Sequence, residues 1–312
     1  MSLEAHIFSK TRTGIVALTF AAVVLPLPVL ADAFVFSTGS PDGLMATATR
    51  PDSSGKFEIE TGDDFVLTQQ TSITGAAFTG LIPSGASTSD IKNVIVEVYR
   101  VFPADSDVNR TSGPPTFSTP NVPTRVNSPS DAALLSRDAS SSELIFAPIV
   151  LQSSFTANSS VKPGSIHPQP NIFTAGNGPV TGQETTIAVK LTIPIDLAAG
   201  QYFFVPQVEL SSGDFFWLSA PRPIVPPGTP FPPGFTDLQS WTRDESNGGI
   251  DPDWLRIGTD ITHQGPFNAA FLLNSVTVDV PGPVVGAGLP GLLLAGFGAM
   301  LCWYRKRRAV AV

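Results

Sequence analysis

Short segments in which apolar and polar residues alternate, separated by Pro, Gly, Ser and Asp, constrain the fold of this chain more than any other feature. In the segment 93–102, Val94, Val96 and Val98 lie on one face of an extended chain, because successive side chains of a strand point to opposite sides. The segment 185–193 alternates in the same way. A period of two with one polar face predicts strands that cover a core on one side.

The same pattern, followed along the chain, predicts many strands and almost no helix. The predicted strands are 56–60, 65–68, 73–81, 93–102, 143–151, 185–193, 202–210, 215–220, 254–257 and 267–278. Helical features are confined to the two ends and to 130–137, where Ser or Asp can cap a single turn. Many strands without alternating helices, in a chain with 30 prolines, predict an all-β fold, specifically a jelly-roll-like β-sandwich. Pro206 cannot donate to a ladder, so it predicts an edge strand or a bulge.

The N-terminal residues have the pattern of a secretion signal. Lys10 and Arg12 precede an apolar run over 15–30, and small residues follow it. This order predicts a signal peptide over 1–31, cleaved after Ala31 or Ala33. An uncleaved anchor is the alternative, but two prolines leave the run shorter than the roughly 20 apolar residues of a membrane span.

The C-terminal residues predict a transmembrane helix with a basic cytoplasmic end. No side chain from Val284 to Tyr304 is charged, and a helix of about 21 residues can cross a bilayer. The basic cluster that follows consists of Arg305, Lys306, Arg307 and Arg308. Positive residues beside a span mark its cytoplasmic side, which predicts a single-pass inner-membrane protein with its ectodomain outside.

The order of features over 280–312 resembles a family of sorting signals. Its first element is Val280, Pro281, Gly282 and Pro283, followed by the Gly-rich apolar stretch and the basic cluster. This order resembles the tripartite PEP-CTERM signal processed by exosortases, although Gly282 stands where that family usually has Glu. The resemblance implies export and transfer to the cell envelope or extracellular matrix of bacteria that make exopolysaccharide. It also implies an exosortase-like enzyme as a partner. A plain single-span anchor is the alternative.

The remaining residues, 32–279, form the predicted ectodomain. Segments such as VEVYRVFP and DPDWLRIGTDI resemble exported sandwich proteins of unassigned function that carry such tails. The length suits one large all-β domain, or two that divide near 155–180. All 26 acidic residues except Glu4 lie here, but only 12 of the 18 basic ones, which gives a net charge of −13. This charge disfavours nucleic acid and anionic lipid surfaces as partners.

The ectodomain contains no recognisable catalytic motif. Its only histidines are His167 and His263, without the HExxH spacing of a zinc protease, and no G-x-S-x-G elbow occurs. The one cysteine, Cys302, lies in the predicted span, so a disulfide framework in the ectodomain is excluded. We therefore expect no catalytic residues, no cofactor and a structural or adhesive role. A polysaccharide-active enzyme is a weaker alternative, because it rests only on the abundance of carboxylates.

One segment combines aromatic and acidic residues. Trp241 and Trp254 flank a loop that carries Asp244, Asp251 and Asp253. Exposed indoles can stack on sugar rings, and clustered carboxylates on a Gly-containing turn can hold calcium. The segment therefore suggests a glycan-binding module, with calcium as a candidate ligand, as the main alternative to a structural role. A solvated acidic loop explains the same acids without any ligand.

Overall fold

Strands account for most of the described chain. The computed structural model describes residues 33–275 except 54, 107, 109–125, 163–174 and 245–253. In chain order the strands are β1 (Ala33–Ser37), β2 (Met45–Ala48), β3 (Ile59–Leu67), β4 (Thr71–Pro83), β5 (Ile91–Arg100), β6 (Leu135–Asp138), β7 (Leu144–Ala157), β8 (Ser159–Val161), β9 (Val180–Leu197), β10 (Gly200–Leu210), β11 (Phe216–Ala220), β12 (Trp241–Asp244), β13 (Leu255–Arg256), β14 (Asn268–Ala269) and β15 (Phe271–Ser275). The described helices are a 3₁₀ turn over Thr88–Asp90 and a π-helical turn over Ile257–Ile261. The predicted all-β class is confirmed.

The strands form two sheets. The nine-stranded sheet runs β1-β15-β4-β11-β2-β8, with β14 beside β11, β9 beside β4, and β7 beside β9. The six-stranded sheet runs β13-β12-β3-β10-β5-β6. Described neighbours pair antiparallel except β2 and β8, which are parallel. The first and last described strands are neighbours, with Ala33 opposite Ser275, and β15 pairs on its other side with β4.

The main core lies between the two sheets and is rich in aromatic rings. Phe204 of the six-stranded sheet stacks on Phe271 of the nine-stranded sheet, with ring centroids 5.1 Å apart. Phe78 of β4 and Trp217 of β11, both in the nine-stranded sheet, contact Phe204 edge-on. The buried Trp217 indole donates its N–H to the Ala270 carbonyl at 2.8 Å. The two sheets therefore share one interlocked layer of buried apolar side chains.

Three local sequence predictions are corrected by the strands. The segment 130–137 is not helical, because Leu135–Asp138 forms β6 and pairs with β5. The predicted strands 56–60 and 65–68 belong to one strand, β3, which continues through the acidic residues between them. Strands β1, β2, β8 and β12 were not predicted, because they are short or contain several polar residues.

Pro206 was predicted at an edge or a bulge, but it lies in β10 between β3 and β5, opposite Val96. Its carbonyl accepts a hydrogen bond from Thr49 Oγ1 at 2.5 Å, so the nitrogen of the same residue also faces away from β5. The pairing of β10 with β3 ends at Phe204. The Pro206 nitrogen faces the β3 side of β10. Proline is tolerated there because β10 no longer forms backbone hydrogen bonds with β3 at this position.

The predicted signal peptide, sorting motif and basic cluster lie outside the described residues. Within the described ranges, no helix is both long and apolar enough to cross a bilayer. All described strands belong to one compact unit.

Candidate functional site

The two tryptophans predicted as a binding face are buried. Trp241 and Trp254 are 1% and 2% exposed and pack with Tyr99, Phe203 and Val205 on the outer face of the six-stranded sheet. Each indole N–H is satisfied by a backbone carbonyl within the fold. In this arrangement neither ring offers a face to a sugar.

The predicted acids near these tryptophans do not form a described cluster. Asp244 ends β12 and is 1% exposed. Asp251 and Asp253 lie outside the described residues. The geometry therefore brings together Trp241, Trp254 and the start of the predicted loop, but as an internal layer instead of an open binding face.

A glycine makes this outer layer possible. Gly62 of β3 lies opposite Trp241 of β12, and a Cβ at this position would come within 2.9 Å of Val205 Cγ2. Without a side chain at 62, β10 and β12 can cover this part of β3 with apolar groups. The outer face thus has a small core of its own, in addition to the core between the sheets.

Beside this small core lies the carboxylate cluster, which consists of Glu58, Glu60 and Glu97. Glu60 is in β3, Glu58 immediately precedes that strand, and Glu97 is in β5. One oxygen from each lies within 4.8 Å of the others. Three carboxylates this close repel one another, so their environment must supply hydrogen bonds or positive charge.

Arg243 of β12 supplies the positive charge. Its Nε donates to Glu60 Oε2, and the two side chains form a buried ion pair. The guanidinium also donates to the Tyr99 hydroxyl at 3.2 Å and to the Asp131 carbonyl at 2.9 Å. It lies over the Trp254 ring, 4.6 Å from the centroid. Trp254 therefore supports the cation that neutralises Glu60, which is a different role from the one predicted.

Tyr99 joins Glu60 to Glu97. Its hydroxyl donates to Glu60 Oε1 and lies 3.1 Å from Glu97 Oε2. Burial and the neighbouring Glu60 raise the pKa of Tyr99 far above its usual range, so the phenol stays neutral and remains a donor. Both oxygens of Glu60 are thus occupied, one by Tyr99 and one by Arg243.

Glu58 and Glu97 have weaker support than Glu60. Burial, and secondly the charge of Glu60, raise the pKa of each to about 7. Glu58 accepts one hydrogen bond, from Gln207 Nε2 at 2.5 Å. Gln207 is fully buried, and its Oε1 has no hydrogen-bond partner among the described residues. The cluster therefore contains two acids that hold protons easily, and Gln207 beside it has a buried amide oxygen with no donor in the described part of the chain.

A second group of acids is structural. Asp63 and Asp64 are neighbours in β3, so they point to opposite faces of the sheet, and both are buried. Asp63 Oδ2 accepts the Ala269 N–H, and Asp64 Oδ1 accepts the Leu238 N–H, each at 2.9 Å. Burial raises the pKa of Asp64 to about 8 and that of Asp63 well above its usual value. These aspartates attach two backbone segments to β3.

The edge strand β7 is a second candidate feature, and several of its apolar side chains are exposed. Among the described residues it pairs only with β9, and its sequence, LIFAPIVLQSSFTA, contains no charged residue. Ile145, Ile149, Val150 and Leu151 are each between 46% and 56% exposed. An uncharged apolar edge with unpaired backbone groups is a template for another strand, and soluble proteins normally protect such edges with charge or cover.

Neither the carboxylate cluster nor the edge position of β7 was predicted from the sequence. Glu58, Glu60 and Glu97 come from two separate segments, and only the register of β3, β10 and β5 brings them together. The signal was the polar member of each alternating pattern, Glu60 in one strand and Glu97 in the other. The segment that forms β7 was predicted as a strand, but its sequence does not show that it lies at an edge.

Comparison with protein-family models, with curated proteins and with solved structures finds no match to this chain. No relative therefore supplies a function by likeness. The carboxylate cluster and the edge strand β7 are the two features from which a role can be inferred.

Replacing Arg243 by Met is expected to destabilise the fold by about 3–5 kcal/mol, because Glu60 would keep a buried charge without its partner. Denaturant unfolding of the single variant measures this loss. The double variant Glu60→Gln/Arg243→Met should recover part of it, since residue 60 would no longer carry a buried charge without a partner. Arg100→Met is the matched control: Arg100 forms an exposed ion pair with Asp105, and its loss should cost less than about 1 kcal/mol. Equal losses for the two arginines would contradict the structural importance of Arg243.

Stability is expected to fall as the pH rises from about 5 to about 8. The folded pKa values of Glu58 and Glu97, about 7, and of Asp64, about 8, lie above those of the unfolded chain. In this range the folded state holds more protons than the unfolded state. Its extra stability is complete below the unfolded pKa values and is lost as the pH passes through the folded ones. The thermal unfolding midpoint should therefore be higher at the acidic end.

Asp64→Asn should flatten this dependence, because the amide does not titrate. Asp90 and Asp105 do not interfere, since hydrogen bonds from Ser211 and Arg100 respectively lower their pKa values out of this range. A midpoint that rises from about pH 5 to about pH 8 would show that these acids are not buried as described.

Proposed function

We propose that this chain is an exported protein of the bacterial cell envelope or extracellular matrix, with a non-enzymatic structural or adhesive role. The observation that carries the role is the edge strand β7, which has no charged residue, exposes apolar side chains and pairs only with β9 within the described ranges. We further propose that copies of the chain join through β7, edge to edge. A matrix or envelope layer requires contacts of this kind between copies.

The composition of β7 favours a second copy as its partner. The chain carries a formal net charge of −8, so most surfaces of two copies repel each other. The edge strand β7 has no charge to add to this repulsion. Two antiparallel β7 strands related by a two-fold axis would pair their free backbone groups and bury Ile145 and Ile149 of both copies.

The regular part of β7 is sufficient for such a contact. Pairing with β9 proceeds without a register shift from Leu144 to Val150, and irregularities follow on either side of Gln152. A run of seven residues lies within the usual range of strand lengths in globular proteins, about 3–10 residues. Pro148 lacks one N–H, so it limits the ladder without preventing it. The proposed contact is therefore centred on Leu144–Val150.

The address is proposed from the two ends of the sequence. The signal over 1–31 directs export, and the tail over 280–312 places the protein in the inner membrane until an exosortase-like enzyme acts on it. Exopolysaccharide is the proposed surrounding material, and a jelly-roll-like sandwich is the proposed form of the two sheets. The burial of Trp241 and Trp254 favours this structural role over the glycan-binding alternative.

Cysteine cross-linking tests the β7 contact in the full-length chain. Cys302 is the only cysteine, so Cys302→Ser gives a cysteine-free background. A chain with both Ile145→Cys and Ile149→Cys should give covalent dimers under mild oxidation, because a two-fold axis at Ala147 places Ile145 of one copy opposite Ile149 of the other, with Cβ atoms within disulfide range. Non-reducing gel electrophoresis measures the dimer yield.

Lys92→Cys, which is exposed on β5 of the other sheet, is the matched control and should stay monomeric. Adding Ala147→Lys to the chain with both β7 cysteines should suppress its dimer, because the two lysines would meet at the two-fold axis. Equal dimer yields at Lys92 and on β7, or no dimer from the β7 cysteines, would refute the proposed contact.

Cell fractionation tests the address. The full-length chain should be found in the membrane or envelope fraction, and a variant ending at Asp279 should be soluble in the periplasm or medium. A variant lacking residues 2–31 should stay in the cytoplasm, because it has no export signal. Recovery of the full-length chain from the cytosol would contradict the proposal, as would membrane retention of the variant that ends at Asp279.

A further inference from the structure

We infer that Lys56 and Lys162 bind a doubly charged oxyanion, such as phosphate or sulfate, beside the buried ion pair of Arg50 and Asp214. Arg50 follows β2, Lys56 precedes β3, Lys162 follows β8 and Asp214 precedes β11. Four separate segments therefore bring three cations to one carboxylate. This inference does not depend on the proposed role of β7.

The ion pair at the base of this site is buried and held from several sides. The side chains of Arg50 and Asp214 are only 9% and 5% exposed, and Arg50 Nη1 donates to Asp214 Oδ1. Arg50 Nε donates to the Phe57 carbonyl at 3.0 Å, and the guanidinium lies over the Phe57 ring, 5.0 Å from its centroid. Arg50 therefore balances the charge of Asp214 in a fixed geometry, without help from another cation.

The two lysines add positive charge that this ion pair does not balance. Lys56 Nζ lies 3.6 Å from Asp214 Oδ1, and Lys162 Nζ lies 3.4 Å from Asp214 Oδ2. Burial acts to raise the pKa of Asp214, but the three cations outweigh it and hold that pKa below its usual value, so the carboxylate stays ionised. Among the described residues, no other acid forms an ion pair with these cations. Three positive charges and one negative charge leave a local charge of +2, in a chain whose formal net charge is −8.

Both lysine ammonium groups keep N–H donors for a ligand. An ammonium group has three donors, of which Lys56 uses one on the Gly213 carbonyl. Lys162 Nζ makes only its ion pair with the carboxylate, among the described residues. The two side chains are 31% and 55% exposed, so an anion can reach them from solvent. Their backbones are held in place, because Lys56 N donates to the Ser53 carbonyl at 2.8 Å and Lys162 N donates to Asn177 Oδ1 at 2.7 Å.

The local charge and the type of donor indicate the class of ligand. A dianion would balance both excess positive charges, whereas a chloride ion would balance only one of them. Lysine binds phosphate as a compact point charge with rotatable donors, so it suits a tetrahedral oxyanion and does not require the planar geometry that arginine favours. Inorganic phosphate, sulfate and phosphate monoesters share this charge and shape, and they are the ligands that the site would take.

Isothermal titration calorimetry of the full-length protein in mild detergent tests the site with inorganic phosphate. At low ionic strength and about pH 8, where a phosphate group is doubly charged, phosphate should bind saturably to one site. Sulfate should compete with it, and chloride at the same ionic strength should not. Glycerol phosphate distinguishes the source of the group: binding as tight as that of phosphate would assign the site to a monoester, and weaker binding to the free ion. Absence of saturable binding of both phosphate and sulfate would overturn the inference.

Two double variants separate this site from a general effect of charge. Lys56→Met/Lys162→Met should weaken phosphate binding at least about tenfold, because hydrogen bonds from charged donors to the ligand are lost. The matched control, Lys92→Met/Lys190→Met, removes two exposed lysines from β5 and β9 and changes the net charge equally. It should bind phosphate as the original chain does. Equal weakening in the two double variants would contradict the inference.

Thermal unfolding separates binding from folding. Without phosphate, Lys56→Met/Lys162→Met should unfold close to the midpoint of the original chain, because ion pairs of partly exposed lysines contribute little to stability. Phosphate should raise the midpoint of the original chain and of the control, since a ligand that binds only the folded state stabilises it. A rise of the same size in Lys56→Met/Lys162→Met would place the anion elsewhere and refute the site.

Discussion

The buried ion pair between Arg243 and Glu60 is the interaction on which the outer side of the six-stranded sheet depends. It joins β12 to β3, and through Tyr99 it also reaches β5. Trp254 and the backbone at Asp131 complete the contacts of the guanidinium. Because an ion pair of this kind is costly to break by removing one partner, each of these segments is held in position by the others. The small outer core and the carboxylate cluster both exist because this layer is fixed.

The two sheets therefore present different surfaces to their surroundings. The six-stranded sheet is covered on one side by the main core and on much of the other by its own layer of aromatic and charged residues. The nine-stranded sheet shares the main core but ends at β7, where apolar side chains remain exposed. The association between copies that we propose uses the second surface, where β7 pairs only with β9 among the described residues.

Local alternation was enough to predict the class of the fold, but not the neighbours of each strand. The segments 73–81 and 93–102 appear as β4 and β5 because each has several β-branched or aromatic residues on one face. Strand β12 was missed because Trp-Thr-Arg-Asp is short and polar, and its burial depends on a partner 183 positions away. The carboxylate cluster could not be predicted for the same reason, because its glutamates come from segments that are far apart in the sequence. Aromatic and acidic residues close in sequence suggested an exposed face at Trp241 and Trp254, but proximity along the chain does not determine burial.

The pairing of β1 with β15 has a mechanical consequence. Residue 275 is the point at which the described fold continues toward the proposed membrane tail, and it lies in a strand bonded on both sides, to β1 and to β4. A tether that pulled β15 along its own axis would load the hydrogen bonds on both sides together in shear, and they would not open one after another as in a peeled edge. Such an attachment suits a protein that must remain folded while the layer around it is under tension.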